Sequence, residues 1–186
     1  MVKPLQIGIT GGIGAGKSLI CRIFHCLGIP VYDADGHAKE LMTTDVILVS
    51  NIKKELSYNT DGTLNRNYLS SAVFDNSEKL SKLNSLVHPQ VGADYNRWVE
   101  KHRNYPYVMK EAALLFEAGS DKLLDKVIVI HAPEELRIQR VIARDPHRSK
   151  DQVRAIMSKQ MPEAQKMKKA DFIIINDEKD LVVPQV

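Results

Sequence analysis

The chain has 186 residues, of which 44% are hydrophobic and 26% charged, and its formal net charge is +3. This composition excludes a disordered chain, a collagen and a disulfide-rich miniprotein. No apolar run approaches the roughly 20 residues that would cross a membrane, and the N-terminus has no apolar signal core. We therefore expect a soluble, cytoplasmic protein of one domain, or of one core domain with a small insertion.

The excess positive charge is concentrated in one segment. Residues 134–169 include ten Lys or Arg and five Asp or Glu, whereas the remainder has sixteen basic and eighteen acidic residues. A basic segment suits a ligand that bears phosphates, and a solvated helical face is the alternative. Nucleic acid is not the expected partner, because aromatic residues make up only 6% of the chain and none lies within the basic segment.

The first elements along the chain predict a parallel α/β sheet. Residues 5–10 form a short apolar run that stops at glycines, as a buried parallel strand does. Residues 17–27 have helical spacing, and Gly28 follows as a stop signal. The predicted apolar face of this helix consists of Leu19, Ile20, Ile23, Phe24 and Leu27. A second strand is expected at 30–32, and a helix from about 37 to 42. This order of strand, loop, helix and strand opens an α/β fold.

The middle of the chain differs, because residues 45–103 show helical patterns without a clear strand. Helices are predicted in three segments: 46–56, 67–74 and 78–87. A turn at 59–62 separates the first two, and Pro89 acts as a stop signal after the third. Beyond the middle, strands are predicted at 106–109, 126–131 and 172–175. Amphipathic helices are predicted at 134–144 and 150–161. We therefore predict an all-helical insertion in an α/β core.

The strongest signal for function is the run at 11–18, which satisfies G-x-x-x-x-G-K-[ST] between a predicted strand and a predicted helix. Glycines let the backbone turn inward, so that successive N–H groups and the helix N-terminus face phosphate oxygens. Lys17 supplies a cation for the β- and γ-phosphates, and Ser18 places a hydroxyl where Mg²⁺ would sit. The expected nucleotide contacts are Gly12, Ile13, Gly14, Ala15, Gly16, Lys17 and Ser18.

A second candidate is Asp33, which ends the second predicted strand. Ligands of an open parallel sheet bind beyond the carboxyl ends of its strands, so Asp33 is expected beside the phosphate-binding loop. Its carboxylate could accept a proton from the hydroxyl of a phosphoryl acceptor, or help to hold Mg²⁺ through water. The alternative is a solvated Asp33 followed by a helix N-cap at Asp35.

A third candidate is a set of arginines in the basic segment: Arg137, Arg140, Arg144 and Arg148. Spacings of three and four put the first three on one face of a helix, just after the strand predicted at 126–131. Arginines supplied by a closing lid neutralise the charge of phosphoryl transfer. The alternative is an exposed helix whose arginines pair with Glu134, Glu135 and Asp145.

Further motifs extend along nearly the whole chain in a specific order. They are residues 31–35 with Ala38 and Leu41, residues 61–74, His88-Pro89, residues 114–117, Glu134, Arg140, Arg144-Asp145, Gln160, Ala170-Asp171 and Asn176. Together with the run at 7–18, they resemble the dephospho-coenzyme A kinase family. The chain departs from the family pattern at Gly92, Ala113, Arg137 and Ile156, but not within 11–18 or at Asp33.

The resemblance implies a P-loop kinase fold, with a parallel five-stranded sheet flanked by helices, a helical insertion and a lid. It implies a nucleotide-binding core at 1–44, 104–133 and 170–186, a helical insertion at 45–103 that binds the CoA acceptor, and a lid with its return helix at 134–169. It also implies transfer of the γ-phosphate of ATP to the ribose 3′-hydroxyl of dephospho-CoA, giving CoA and ADP, with Mg²⁺ as the cofactor. This is the last step of CoA synthesis.

By the same resemblance, Asp33 is the base at the acceptor hydroxyl, Lys17 the phosphate cation and Arg140 a catalytic charge of the lid. Further contacts with ATP are expected from Arg140, Arg144 and Asn176. Contacts with the acceptor are expected from Asp33, His88 and Leu115. The expected partners are ATP and dephospho-CoA, with no nucleic acid and no membrane, and a monomer is the expected state.

Two other P-loop functions stay open at this point. Residues 33–36 spell D-x-x-G, a GTPase signature, although they lie close to the phosphate-binding loop and the chain has no N-K-x-D motif to recognise guanine. A nucleoside or nucleoside monophosphate kinase would need only a different acceptor pocket. A comparison of ATP with GTP binding, and a panel of phosphoryl acceptors, would separate these functions.

Overall fold

The fold is given by a computed structural model, in which residues 3–56 and 76–186 are described. Five strands occur in these ranges: β1 (Leu5–Thr10), β2 (Val31–Asp33), β3 (Tyr107–Glu111), β4 (Lys126–His131) and β5 (Phe172–Ile175). The α-helices in the same ranges are α1 (Lys17–Cys26), α2 (Ala34–Thr44), α3 (Val46–Leu56), α4 (Ser77–Lys101), α5 (Glu134–Arg144), α6 (Lys150–Ser158) and α7 (Glu163–Lys169). The turn expected at 59–62 and the helix expected at 67–74 lie outside the described residues. No helix in the described ranges is both long and apolar enough to cross a bilayer.

The five strands form one parallel sheet in the order β2-β3-β1-β4-β5, which confirms the predicted five-stranded sheet. β1 lies at the centre, where it pairs with β3 on one side and β4 on the other. Because all strands run in the same direction, their carboxyl ends lie along one edge of the sheet. The loop at 11–16 leaves β1 at this edge, and so does the chain that follows Asp33.

α1 packs against the sheet through only part of its predicted apolar face. Ile20, Cys21 and Phe24 are buried in a core that also contains Ile9, Met109, Ile128, Ile130 and Ile174. Leu19 and Leu27 of the predicted face are exposed. The helix ends where Gly28 adopts a φ of 81°, and the N–H of Ile29 then donates to the carbonyl of Phe24 at 3.0 Å. The predicted glycine stop is therefore confirmed.

The basic segment contains three helices rather than the two that the sequence predicts. α6 begins with a capping box, in which the side chains and backbone N–H groups of Ser149 and Gln152 bond reciprocally. It ends at Ser158, three residues before the expected end. The ring of Pro162 disfavours helical geometry at the residue before it, so the helix stops and α7 begins beyond this proline.

Two helices depart from the predictions near Asp35 and Pro89. α2 begins at Ala34, so Asp35 lies inside the first turn, where a carboxylate favours the helix dipole, and is not the N-cap. α4 continues through Pro89 to Lys101. A helix-interior proline costs about 3 kcal/mol, but the buried stripe of Val87, Val91 and Tyr95 continues across it at helical spacing.

The chain divides into two compact units, one formed by 1–33 with 99–186 and the other by 34–98. Within the second unit, α2 packs on α3, and Nδ1 of His37 on α2 lies 2.9 Å from Oδ2 of Asp94 on α4. α3 and α4 are joined by an ion pair of 2.5 Å between Glu55 and Lys82. The described residues of this unit contain helices and no strand.

Glu117 anchors the start of α7 within the first unit. Its Oε1 accepts a hydrogen bond of 2.7 Å from the N–H of Met161 and lies 3.2 Å from Nζ of Lys166, whose side chain is fully buried. Partial burial acts to raise the pKa of Glu117, but the hydrogen bond from Met161 and the ammonium of Lys166 outweigh it. The net pKa lies below the ordinary value of 4.5.

Glu117→Gln is expected to lower the free energy of unfolding by about 3 kcal/mol at neutral pH, because it leaves a buried ammonium without its counter-ion. The folded-state pKa is lowered, so the contribution of the carboxylate is complete above pH 4.5 and is lost as the pH falls through the folded-state value. Denaturant titrations of both proteins between pH 7 and pH 3 should therefore converge at low pH. The exposed Glu100 provides a matched Glu→Gln control, and a constant difference at all pH values would contradict the assignment.

Candidate active site

The phosphate-binding motif forms a tight loop between β1 and α1. Gly14 and Gly16 have φ angles of 78° and 95°, a region that residues with a Cβ rarely adopt. The N–H of Ala15 donates to the carbonyl of Gly12 at 3.1 Å, and Gly16 is the N-cap residue of α1. The N–H groups at the start of α1 therefore belong to the motif itself.

The same glycines lie in close contact with neighbouring elements. A Cβ built on Gly14 would lie 2.4 Å from the carbonyl oxygen of Arg137 on α5. A Cβ on Gly16 would lie 2.2 Å from Nδ2 of Asn176, the residue after β5. A Cβ on Gly12 would lie 2.1 Å from Nη1 of Arg137. The loop backbone is thus held between a helix and the end of a strand.

A cleft of about 180 Å³ lies along the loop and α5. Its lining residues are Gly14, Gly16, Lys17, Ser18, Leu19, Arg140, Val141 and Arg144. Nζ of Lys17 donates to the carbonyl of Gly11 at 3.0 Å, which places the ammonium at the beginning of the loop. One cleft therefore combines an ammonium, a hydroxyl, two guanidinium groups and a helix N-terminus. This combination suits a polyphosphate.

Arg140 is held in place by the turn that follows β5. Its Nη1 donates to the carbonyl of Asn176 at 3.0 Å, and its Nε and Nη2 donate to Oε1 of Glu178 at 3.2 and 3.0 Å. Glu178 has a φ of 67°. The side chain of Asn176 is buried and donates to the carbonyl of Ala15 at 2.8 Å. Asn176, predicted to contact ATP, thus joins the loop to Arg140.

The other two arginines of the α5 face meet the loop at different points. Arg144 lines the cleft beside Lys17 and is exposed, and no ion pair or hydrogen bond from another described side chain holds its guanidinium. Arg137 lies two turns earlier, with only 8% of its side chain exposed, and its Nη1 is 3.7 Å from Oε2 of Glu163 on α7. The solvated-face alternative therefore does not describe Arg137.

Asp33 and Glu111 end neighbouring strands at the carboxyl edge. They are direct partners in the register of β2 and β3, and Glu111 is also opposite Ile9 of β1. The pKa of the Cys21 thiol on α1 is raised above its ordinary value, mainly by burial. The charge of Glu111, a hydrogen bond with Glu111 and the charge of Asp33 raise it further, whereas the charge of Lys17 lowers it. The first turns of α1 therefore face these carboxylates.

Ser18, Asp33 and Glu111 are the groups whose chemistry fits Mg²⁺. Within residues 3–56 and 76–186, no cluster of three or more His, Cys, Asp or Glu side chains could hold a metal ion by itself. A nucleotide-bound Mg²⁺ needs less than that, because phosphate oxygens and water complete its octahedral shell beside a hydroxyl and one or two carboxylates. Oxygen donors of both kinds are present at this edge.

The two other residues expected to bind the acceptor lie in different surroundings. Leu115 is 0% exposed, and its Cδ2 is 2.7 Å from the position of a Cβ on Gly8 of β1, so its side chain belongs to the core. Contact of Leu115 with the acceptor stays a prediction, and its neighbour Leu114 is 48% exposed. His88 is exposed in the interior of α4, within the second unit.

Sequence reasoning passed over two residues that contact this site. Glu111 lies two residues beyond the strand predicted at 106–109. A carboxylate near the carboxyl end of a predicted strand is the signal that identified Asp33, so the same signal could have found Glu111. The sequence identifies Gln160 only as part of the motif that resembles the family. Its Oε1 accepts a hydrogen bond of 2.9 Å from the N–H of Ile13 in the loop. No local pattern indicates that contact, because the two residues are far apart in the chain.

Residues 5–181 match the family described as dephospho-CoA kinase. Dephospho-CoA kinases of Porphyromonas gingivalis and Bacteroides fragilis are 36% and 33% identical to the chain, over 98% of its length and 91% and 89% of theirs. A crystal structure from Thermus thermophilus matches with a TM-score of 0.88 at 32% identity, covering 99% of this chain and 94% of that one. Dephospho-CoA kinase from Campylobacter jejuni matches with a TM-score of 0.64 at 30% identity, covering 92% and 88%. The chain therefore belongs to the dephospho-CoA kinase family.

Proposed function

We propose that the protein transfers the γ-phosphate of ATP to the ribose 3′-hydroxyl of dephospho-CoA, giving CoA and ADP. The observation that carries this proposal is the cleft in which Lys17, Ser18, Arg140 and Arg144 line one side of a phosphate-binding loop. Family membership supports the choice of dephospho-CoA over a nucleoside as the acceptor. It also favours ATP-dependent transfer over a nucleotide switch.

The loop and the cations bind and stabilise the phosphates in this proposal. Backbone N–H groups of the loop and the first turn of α1 hold the phosphate chain, and the ammonium of Lys17 follows the group that is transferred. Phosphoryl transfer depends on positioning and charge stabilisation, so cations fixed before the reaction are effective. Arg140 acts as a fixed cation because the turn at 176–178 holds it. Arg144 is free to adjust to the phosphates.

The carboxylates at the sheet edge act on the acceptor and the metal. Asp33 accepts the proton of the attacking hydroxyl, and this makes the oxygen a better nucleophile. Ser18, with Glu111 or Asp33 through water, would hold Mg²⁺, which supplies charge neutralisation on the phosphate oxygens. We propose further that the helical segment at 45–103, including His88, binds the CoA portion, and that the segment at 134–169 acts as the lid.

The acceptor and the base are tested together by phosphoryl transfer from ATP to a panel of acceptors. The wild-type protein should phosphorylate dephospho-CoA in preference to adenosine, other nucleosides and nucleoside monophosphates. Asp33→Asn should lower kcat with dephospho-CoA by at least about a hundredfold, as loss of a general base commonly does. Its affinity for ATP·Mg²⁺ in calorimetry should change little, because the loop is intact.

The Asp121→Asn variant, outside the site, serves as the matched control and should behave as wild type. Preferential activity of the wild-type protein on a nucleoside would contradict the acceptor assignment and leave the kinase assignment standing. Near-normal turnover by Asp33→Asn would remove this aspartate from the chemistry.

Three arginine variants separate the cleft from its surroundings. Arg140→Ala and Arg144→Ala should each lower kcat/KM for ATP by at least about tenfold, because each removes a cation from the phosphate cleft. Arg140→Ala should also lower the melting temperature, since Asn176 and Glu178 lose a partner. Arg148→Ala removes the same charge but breaks only an exposed pair with Asp145, and should stay within about twofold of wild type. Small, equal losses of kcat/KM in all three variants would indicate that these arginines lie on a solvated helix face and do not bind ATP.

A further inference from the structure

Ile13 is the point at which the phosphate-binding loop is joined to the basic segment. Its side chain packs against the cluster formed by Ile138 and Val141 of α5 and Val153 of α6. Its N–H donates to Oε1 of Gln160 at 2.9 Å. One loop residue is therefore fixed twice, by apolar packing and by a hydrogen bond. Because the N–H of Ile13 already donates to Gln160, it is not available to bind phosphate.

Gln160 is itself held on both sides. Its N–H donates to the carbonyl of Met157 at 3.0 Å, in the last turn of α6, and the N–H of the next residue, Met161, donates to Glu117 at 2.7 Å. Glu117 in turn pairs with the buried Lys166 of α7. Hydrogen bonds thus fix the backbone between α6 and α7 at Gln160 and at the next residue. This fixed backbone orients the side chain of Gln160 towards Ile13.

The contact lies at the end of the loop where transfer takes place. The ammonium of a P-loop lysine accompanies the β- and γ-phosphates, and Nζ of Lys17 lies 3.0 Å from the carbonyl of Gly11. The residues beside Gly11, including Ile13, are therefore closest to the group that is transferred. The N–H groups further along the loop and in the first turn of α1 hold the rest of the phosphate chain.

From these contacts we propose that Gln160 is a positioning residue for phosphoryl transfer. Its side-chain carbonyl fixes the N–H of Ile13 and so sets the geometry of the loop at the γ-phosphate. It touches neither the nucleotide nor the acceptor. The expected effect on kcat rests on the proposed function, because the exact placement of the γ-phosphate affects the rate only if that phosphate is transferred.

Gln160→Ala removes the acceptor and leaves the N–H of Ile13 without a partner. Misplacement of a reacting group by about 1 Å can cost on the order of a hundredfold in rate, whereas binding through the remaining loop donors is preserved. We expect kcat to fall at least about tenfold while KM for ATP stays within about threefold. Hydrogen exchange of the Ile13 amide, measured by NMR on the same protein, should become faster.

Gln160→Glu keeps an oxygen acceptor but adds a negative charge near the phosphates. This variant should retain slow exchange of the Ile13 amide. Its catalytic efficiency should fall mainly through a raised KM for ATP, with a smaller change in kcat. Gln165→Ala is the matched control, because Gln165 is exposed on α7 and makes no described side-chain hydrogen bond. It should match wild type in both measurements. If Gln160→Ala does not fold, Gln160→Asn takes its place, since its amide is one methylene shorter, and it must show the same losses.

Wild-type kcat in Gln160→Ala, or a loss confined to KM for ATP, would overturn the positioning role. Unchanged exchange of the Ile13 amide would overturn the contact on which it rests. If instead the wild-type protein fails to phosphorylate dephospho-CoA, the proposed acceptor is wrong. The exchange measurement and the turnover with whichever acceptor is phosphorylated then still decide the role of Gln160.

Discussion

The active site depends on a steric constraint: the backbone of the phosphate-binding loop touches α5 and Asn176 with no space for a Cβ. The carbonyl of Arg137 lies against Gly14, and the side-chain amide of Asn176 lies against Gly16. The first of these neighbours is helix backbone, and the second is a buried side chain bonded to the loop. The loop is therefore shaped by the fold before a nucleotide arrives, as a reaction that relies on positioning requires.

The basic segment forms the wall that imposes this constraint. α5 packs on α6 through Ile138, Val141 and Val153, and the same cluster takes in Ile13 of the loop. The segment also contains two buried cations, Arg137 and Lys166, which face Glu163 and Glu117. Buried ion pairs add little net stability, because desolvation offsets their attraction. Arg137 lies against Gly12 of the loop, and Glu117 holds the backbone beside Gln160. These pairs therefore act on the geometry of the loop, while Arg140 and Arg144 supply charge to the cleft.

The parts of this account that sequence predicts are those encoded locally. Strand and helix bounds at 126–131, 134–144 and 172–175 match the structure, since hydrophobic period and flanking residues are sufficient there. The loop at 11–18 is recognisable because its glycine spacing is itself the physical requirement. Pro89 is a misleading stop signal, because α4 continues through it. Burial of the apolar stripe on both sides of Pro89 outweighs the free-energy cost of a proline inside a helix. Leu115 belongs to the core, because a contact with Gly8 in β1 decides its environment. The contacts of Gln160 and Glu178 arise only when distant segments meet, so no local pattern could reveal them.

The binding of ATP·Mg²⁺ to Gly14→Ala, measured by calorimetry, tests the central constraint most directly. An alanine there would place a Cβ 2.4 Å from the Arg137 carbonyl in a left-handed backbone conformation. The account predicts a loss of ATP affinity of at least about tenfold, with dephospho-CoA still bound. The matched control is Gly92→Ala, which has open space around its Cβ in α4 and should bind ATP as wild type does. Equal affinity of both variants for ATP would contradict the claim that close packing on the glycines shapes the phosphate site.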